Sequence, residues 1–154
     1  MSISNVSTPA KNPVNLRRAH FSDQRSMARV LSQAFWDDVL FGRLIHPHRE
    51  QYPEDSDLYW LRRIQANWWD WSHVFVVTTD VDETTGSEVV TGVAHWSRIG
   101  KGEAKSGWLD PTTVALPVAK ACTALAAWWT PNRAADPAHE DIIERSYGFL
   151  DHVW

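Results

Sequence analysis

The sequence predicts a mixed α+β (α/β) domain, in which a small, mainly antiparallel three-stranded sheet packs with about four helices. Three observations carry this expectation. The runs "HVFVVTTD" and "EVVTGVAHWSRIG" are β-rich and flank the polar turn Asp82–Ser87, the pattern of an antiparallel hairpin. Apolar residues recur at helical spacing in four other stretches. A chain of 154 residues, 44% hydrophobic and 22% charged, has the composition of a globular domain and the length for a single core.

Residues 1–13 are rich in Ser, Pro and Asn and read as a flexible leader, leaving 14–154 as a single domain. "VNLRRA" gives a short strand over 14–19. Ser22 offers an N-cap and Asp23 suits the first turn of a helix over 23–35. Its buried stripe is Met27, Val30, Leu31, Ala34 and Phe35, at i, i+3, i+4, i+7 and i+8. The stretch from Trp36 to Asp55 has no clean period and contains Gly42, Pro47 and Pro53, so it reads as a connecting segment long enough to carry function. An acidic first turn (Glu54, Asp55, Asp57) opens a second helix over 55–70, with Leu61, Ile64, Trp68 and Trp71 as its stripe and Arg62 and Arg63 turned away.

The strand over 73–79 is nearly all apolar and reads as covered on both faces. In the strand over 89–98, period two places Val90, Gly92, Ala94 and Trp96 on one face and Val89, Thr91, Val93 and His95 on the other. Gly92 within it suggests a bulge or a close backbone approach. A third helix over 117–129 opens at Pro117, buries Val118, Ala121, Cys122, Leu125, Ala126 and Trp129, and stops at Pro131. Cys122 reads as small core filler. Asp136-Pro137 caps and opens a last helix over 137–154, whose stripe of Ile143, Tyr147, Leu150 and Trp154 reaches the final residue without a Gly or Asn to end it.

Charge and motifs remove several classes of function. The net charge of −4, with no basic cluster beyond Arg17-Arg18 and Arg62-Arg63, argues against nucleic acid as a partner. The N-terminus lacks a signal peptide's apolar stretch and no run approaches a membrane span, so a cytoplasmic protein with no membrane partner is expected. One cysteine excludes an intrachain disulfide framework. "IGKGEAKSG" misses the phosphate-loop pattern, since Ala104 precedes Lys105-Ser106. His46-Pro47-His48 lacks metal-ligand spacing to further His or Cys, so no metal is expected. A nucleophile elbow is absent, and His73, His95, His139 and His152 are each isolated in sequence. Asp37-Asp38 after Phe35-Trp36 reads either as a solvated helix end or as carboxylates at an aromatic rim that would hold an ammonium group.

Taken in order, "VNLRRAHFSDQRSMARVLSQAFWDDVLF", "PEDSDLYWLRRIQANWWDWSHVFVV", "VVTGVAHWSRIGKG" and "TPNRAADPAHEDII" resemble the N-terminal half of the GNAT superfamily of N-acetyltransferases, in its fungal GNAT-like branch. The resemblance covers roughly 14–154. It implies acetyl transfer from acetyl-CoA, as co-substrate, to a small-molecule or peptide amine, without a metal. Phe35, Asp38 and Phe41 match the family's Ala-Phe-x-x-Asp-x-x-Phe pattern, and Trp96 and Arg98 match the strand's general position; these five are the implied substrate-binding residues. The family's acetyl-CoA signature, Q/R-x-x-G-x-G/A, is absent, and no general base is assigned. The expectation is therefore a truncated or inactive form that carries the acceptor side and binds acetyl-CoA poorly. The alternative is a non-catalytic module that pairs through an open sheet edge and the C-terminal helix with a partner chain or a second copy. A more distant reading is a small aromatic-ligand binder built on the Trp-rich second helix.

Overall fold

The computed structural model of the chain describes residues 14–98, 111–143, 145 and 146. In chain order they form β1 (Asn15–Arg18), a 3-10 turn (Phe21–Asp23), α1 (Gln24–Ala34), a π-helix (Val39–Ile45), α2 (Pro53–Asn67), β2 (His73–Val81), β3 (Glu88–Ser97) and α3 (Pro111–Trp129). The fold is mixed α+β, with one three-stranded antiparallel sheet in the order β1-β2-β3. The leader and the loop after β3 lie outside the described residues.

β2 alternates rather than being covered on both faces. Phe75, Val77 and Thr79 are buried beneath α1 and α2, while Val74, Val76 and Thr78 are half-buried. Its apolar outer positions owe their character to β-branching, which suits a pleated surface whether or not that surface is covered. β3 has the bulge expected near Gly92: Thr78 faces Gly92 and Thr79 faces Val90, leaving Thr91 as the extra residue. The bulge reverses the alternation, so the core face of β3 carries Val90, Val93 and His95, not Val90 with Ala94 and Trp96. A Cβ on Gly92 would lie 2.5 Å from Thr78 Oγ1, which explains the glycine.

On β1, Arg17 ties three elements together. Its guanidinium reaches Asp23 (2.7 Å) at the start of α1 and Glu88 (3.1 Å) at the start of β3. Asp23, not Ser22, secures the helix entry, accepting the backbone N–H of His20 at 2.6 Å. The Arg17 hydrogen bonds hold the Asp23 carboxyl below its ordinary range. α1 buries Gln24, Met27, Ala28 and Ser32, with Val30, Leu31 and Phe35 half-buried and Ala34 exposed, so its inner face is rotated from the expected apolar stripe and shares only Met27 with it among the fully buried residues.

The segment after α1 is more ordered than its composition suggests. Asp38 Oδ1 accepts the N–H groups of Leu40 (2.9 Å) and Phe41 (2.8 Å), capping the π-helix Val39–Ile45. Gly42 passes so close to Trp36 that a Cβ would stand 2.1 Å from its carbonyl oxygen. The sequence shows no helical period here because a π-turn repeats at a different spacing from an α-helix.

α2 buries Asp55, Ser56, Tyr59 and Ile64, while Leu61 and Trp68 flank the core and Trp71 is 45% exposed. Arg62 does not turn away. It donates to the carbonyl of Ala126 (3.2 Å) and the hydroxyl of Thr130 (2.8 Å), closing the C-terminal end of α3. Arg63 bonds Tyr59 Oη (3.0 Å).

α3 starts at Pro111, six residues before Pro117, which sits inside the helix. Proline is well placed at a first helical position, and an exposed interior proline leaves the carbonyl one turn back to be met by water. α3 packs on α2 through Ala119, Thr123 and their neighbours, so the predicted stripe is misassigned: Val118, Leu125 and Trp129 are 54%, 64% and 78% exposed, and Cys122 is an exposed free thiol. With apolar residues all around it, this helix gives period analysis no face to choose. Of the last predicted helix, Asp136 Oδ1 caps the amide of Ala138 (2.9 Å), and Ile142, Ile143, Arg145 and Ser146 are helical. Tyr147, Leu150 and Trp154 lie outside the described residues.

Candidate functional site

The end of α1, the π-helix and α2 build an aromatic cluster. Phe35 stacks on Trp60 (5.2 Å, 23°), and Phe41 sits 4.9 Å from each. The buried His46 shares a small cavity with these rings. Its Nδ1 lies 2.6 Å from the carbonyl of Phe41, its Nε2 lies 3.4 Å from Asn132 Nδ2, and its ring meets Tyr59 edge-on. A carbonyl only accepts, so the proton belongs on Nδ1, and the Nε2 lone pair faces the Asn132 amide. Burial pushes the His46 pKa down, which fixes the neutral form.

Beside this histidine is a cavity of about 10 Å³, the room for one water molecule. Ser56 Oγ and Arg49 Nε line it, and both are buried without a protein partner. The cavity suits an ordered water and is far too small for a substrate.

The "Asn-Arg-Ala" segment closes this region from below. Asp55, 8% exposed, accepts the backbone N–H (2.8 Å) and Nε–H (2.9 Å) of Arg133 on one oxygen and an Nη2–H (3.2 Å) on the other. Asn132 Oδ1 accepts the amides of Ala134 and Ala135, and the Ala134 carbonyl receives the His48 N–H. The Arg133 hydrogen bonds hold the Asp55 carboxyl below its usual range. Asp55 is therefore a clamp and not a reactive acid.

The five residues implied by the resemblance divide into two places. Phe35 and Phe41 come together as described, and Asp38 joins them only through its capping role, with its Oδ1 committed to two backbone amides. Trp96 is 67% exposed on the outer face opposite Val74, and Arg98 lies over the Trp71 ring (5.4 Å). They belong to the end of the sheet where β2 begins.

That strand end holds a group that sequence reading left scattered. His73 Nδ1 lies 2.7 Å from His95 Nε2, and His73 Nε2 lies 3.9 Å from Asp70 Oδ2. Asp70 itself is fixed by the amide (2.9 Å) and hydroxyl (2.6 Å) of Ser72. Phe75 lies between Trp68 and His95, stacking on both. With a proton on His73 Nε2 toward Asp70, His73 Nδ1 accepts from His95 Nε2–H, and His95 Nδ1 keeps a free lone pair. Burial, then the neighbouring His73, pushes the His95 pKa down. Such a base is ready at neutral pH. The hairpin register was the available signal: once Phe75 pairs with His95, His73 is its diagonal neighbour on the same face.

Three glycines lie among the described residues. Gly42 is packed under Trp36, Gly86 is in the hairpin turn at φ 67°, and Gly92 lies against Thr78, so none leads into a helix N-terminus that would hold a pyrophosphate. Among the described residues no group of three or more His, Cys, Asp or Glu side chains is arranged to hold a metal ion, and no helix is long and apolar enough to cross a membrane. No protein-family model, curated protein or solved structure matches the chain.

Proposed function

We propose that this chain carries the amine-acceptor side of an N-acetyltransferase of the GNAT type. The observation that carries the reading is the element order: strand, helix, irregular wound segment, helix, then an antiparallel pair with β3 at the sheet edge. Among the described residues β3 pairs only with β2, so its outer edge offers hydrogen bonds to the further strand such a fold requires. In this reading His95 Nδ1 takes the proton from the incoming ammonium, and His73 and Asp70 orient the ring and stabilise its charge. Arg98 and Trp96 flank the approach, while Phe35, Asp38 and Phe41 belong to the separate aromatic cluster and order the π-helix. No step involving the acetyl donor is assigned to these residues.

The test is to sequence the transcript past the Trp154 codon and titrate its full product with acetyl-CoA by calorimetry. An apolar strand leading into Q/R-x-x-G-x-G/A, with saturable binding, supports the reading. A transcript without that turn, whose product does not bind, overturns it.

A second reading, a non-catalytic module that docks another chain, is favoured by α3, where Val114, Val118, Leu125, Trp128 and Trp129 are all more than half exposed. Light scattering on the purified chain separates the two, since the module reading requires an oligomer or a captured partner.

A further inference from the structure

A further cavity, which shares no lining residue with the His73–His95 pair or the His46 cavity, lies where the start of α1, the end of α2 and the middle of α3 meet. It has a volume of about 330 Å³, at the lower end of the range for small-molecule sites. Phe21 and Trp69 form one wall, with ring centres 6.4 Å apart. Ala119, Cys122, Thr123 and Ala126 supply the opposite wall from α3. Among the described residues no acidic or basic side chain lines it. Burying a charged ligand there would leave the charge uncompensated.

One polar feature is unexplained by the fold. Gln24 lines this cavity, is only 4% exposed, and its Nε2 has no hydrogen-bond partner. A buried donor left unpaired is costly, and native folds retain few of them. On α1 the core-facing positions Met27 and Ala28 are apolar, so an amide at Gln24 is not required for packing.

We propose that this cavity is a binding site for a small, uncharged aromatic compound bearing a carbonyl oxygen. The ring lies between Phe21–Trp69 and the small side chains of α3, and the carbonyl accepts from Gln24 Nε2. The aromatic wall and the alanines give shape selectivity, and the unpartnered Gln24 amide, with Gln65 as the other amide in the lining, fixes orientation. The site is separate from the His73–His95 pair, so it stands or falls independently of the acetyltransferase reading.

Cys122 is the chain's one cysteine and lines the cavity, which makes it a built-in reporter. The rate of Cys122 labelling by a maleimide is measured with increasing acetanilide, the probe that carries both features. Acetanilide should slow labelling saturably, and ethylbenzene, which lacks the carbonyl, should require about tenfold more, the value of one net hydrogen bond. Gln24→Leu should weaken acetanilide protection by a similar factor and leave ethylbenzene unchanged. Ala126→Trp, which fills the cavity, should abolish protection by both. No saturable protection at millimolar acetanilide would overturn the proposal. So would protection that is the same for both probes and indifferent to Gln24→Leu, because the amide would then contact nothing.

Discussion

Asp55 receives both the backbone amide and the side-chain Nε–H of Arg133 on a single carboxylate oxygen, across 78 residues of sequence. The pair joins the start of α2 to the segment after α3 and is the main polar tie between them. Arg133 also lies over the Tyr52 ring (4.5 Å), so its head is held on two sides. Removing the arginine side chain strands a buried carboxylate, whereas removing the carboxylate releases an arginine whose head already reaches water. Arg133→Ala should therefore lower the urea midpoint more than Asp55→Asn.

The same pair predicts a pH dependence. The folded Asp55 pKa lies below its unfolded value, so its contribution is full above about pH 4 and is lost as pH falls through the lower, folded value. The stability gap between wild type and Arg133→Ala should narrow as pH drops from 5 toward 3 (roughly the carboxylate window). Urea melts at several pH values check it, and a constant gap would show that the tie is not ionic.

His46 adds a second window of the same sign at higher pH. Burial depresses its folded pKa, so the unfolded chain binds the extra proton first and stability falls as pH drops below about 6.5. His95 acts with the same sign. His46→Gln keeps a donor near the Phe41 carbonyl and should flatten, without abolishing, the loss of stability between about pH 7 and 5.5. The measurement is the slope of unfolding free energy against pH in the two proteins.

Close packing at two glycines predicts graded damage. Gly92→Ala presses a methyl against a Thr78 hydroxyl, which another rotamer relieves, and should cost about 1–3 kcal/mol. Gly42→Ala meets the Trp36 backbone carbonyl, which has no such freedom, so it should cost more and disorder the π-helix. Thermal melts rank the two, and near-ultraviolet dichroism of the Phe35–Phe41–Trp60 cluster reports the local change.

Much of the fold was legible because its signals are local. The existence of α1 around Met27, the hairpin turn at Asp82–Ser87 and the Gly92 bulge each follow from spacing within a few residues. The errors share a different cause. Arg62 reads as outward-facing as long as the placement of α3 against α2 is not given, since its partners Ala126 and Thr130 are more than sixty residues away. Cys122 looked buried because α3 is apolar on every side, and period analysis needs a polar face for contrast. The π-helix was invisible because its order comes from one carboxylate, Asp38, and one glycine. The candidate site followed the same rule. Phe35 and Phe41 are six residues apart within one motif, whereas His73 and His95 meet only through the register of two strands.

The central claim is that the strand end around His95 accepts an amine and removes its proton. Acetyl transfer from acetyl-CoA to a panel of primary amines, assayed on the full product of the transcript as kcat/KM against pH, tests it most directly. The account predicts measurable transfer with an acid limb below about pH 6.5, and a loss of about 10²–10⁴-fold in kcat in His95→Gln with the amine's KM little changed. Transfer that is indifferent to His95→Gln, or no transfer to any amine by a product that binds acetyl-CoA, would contradict it.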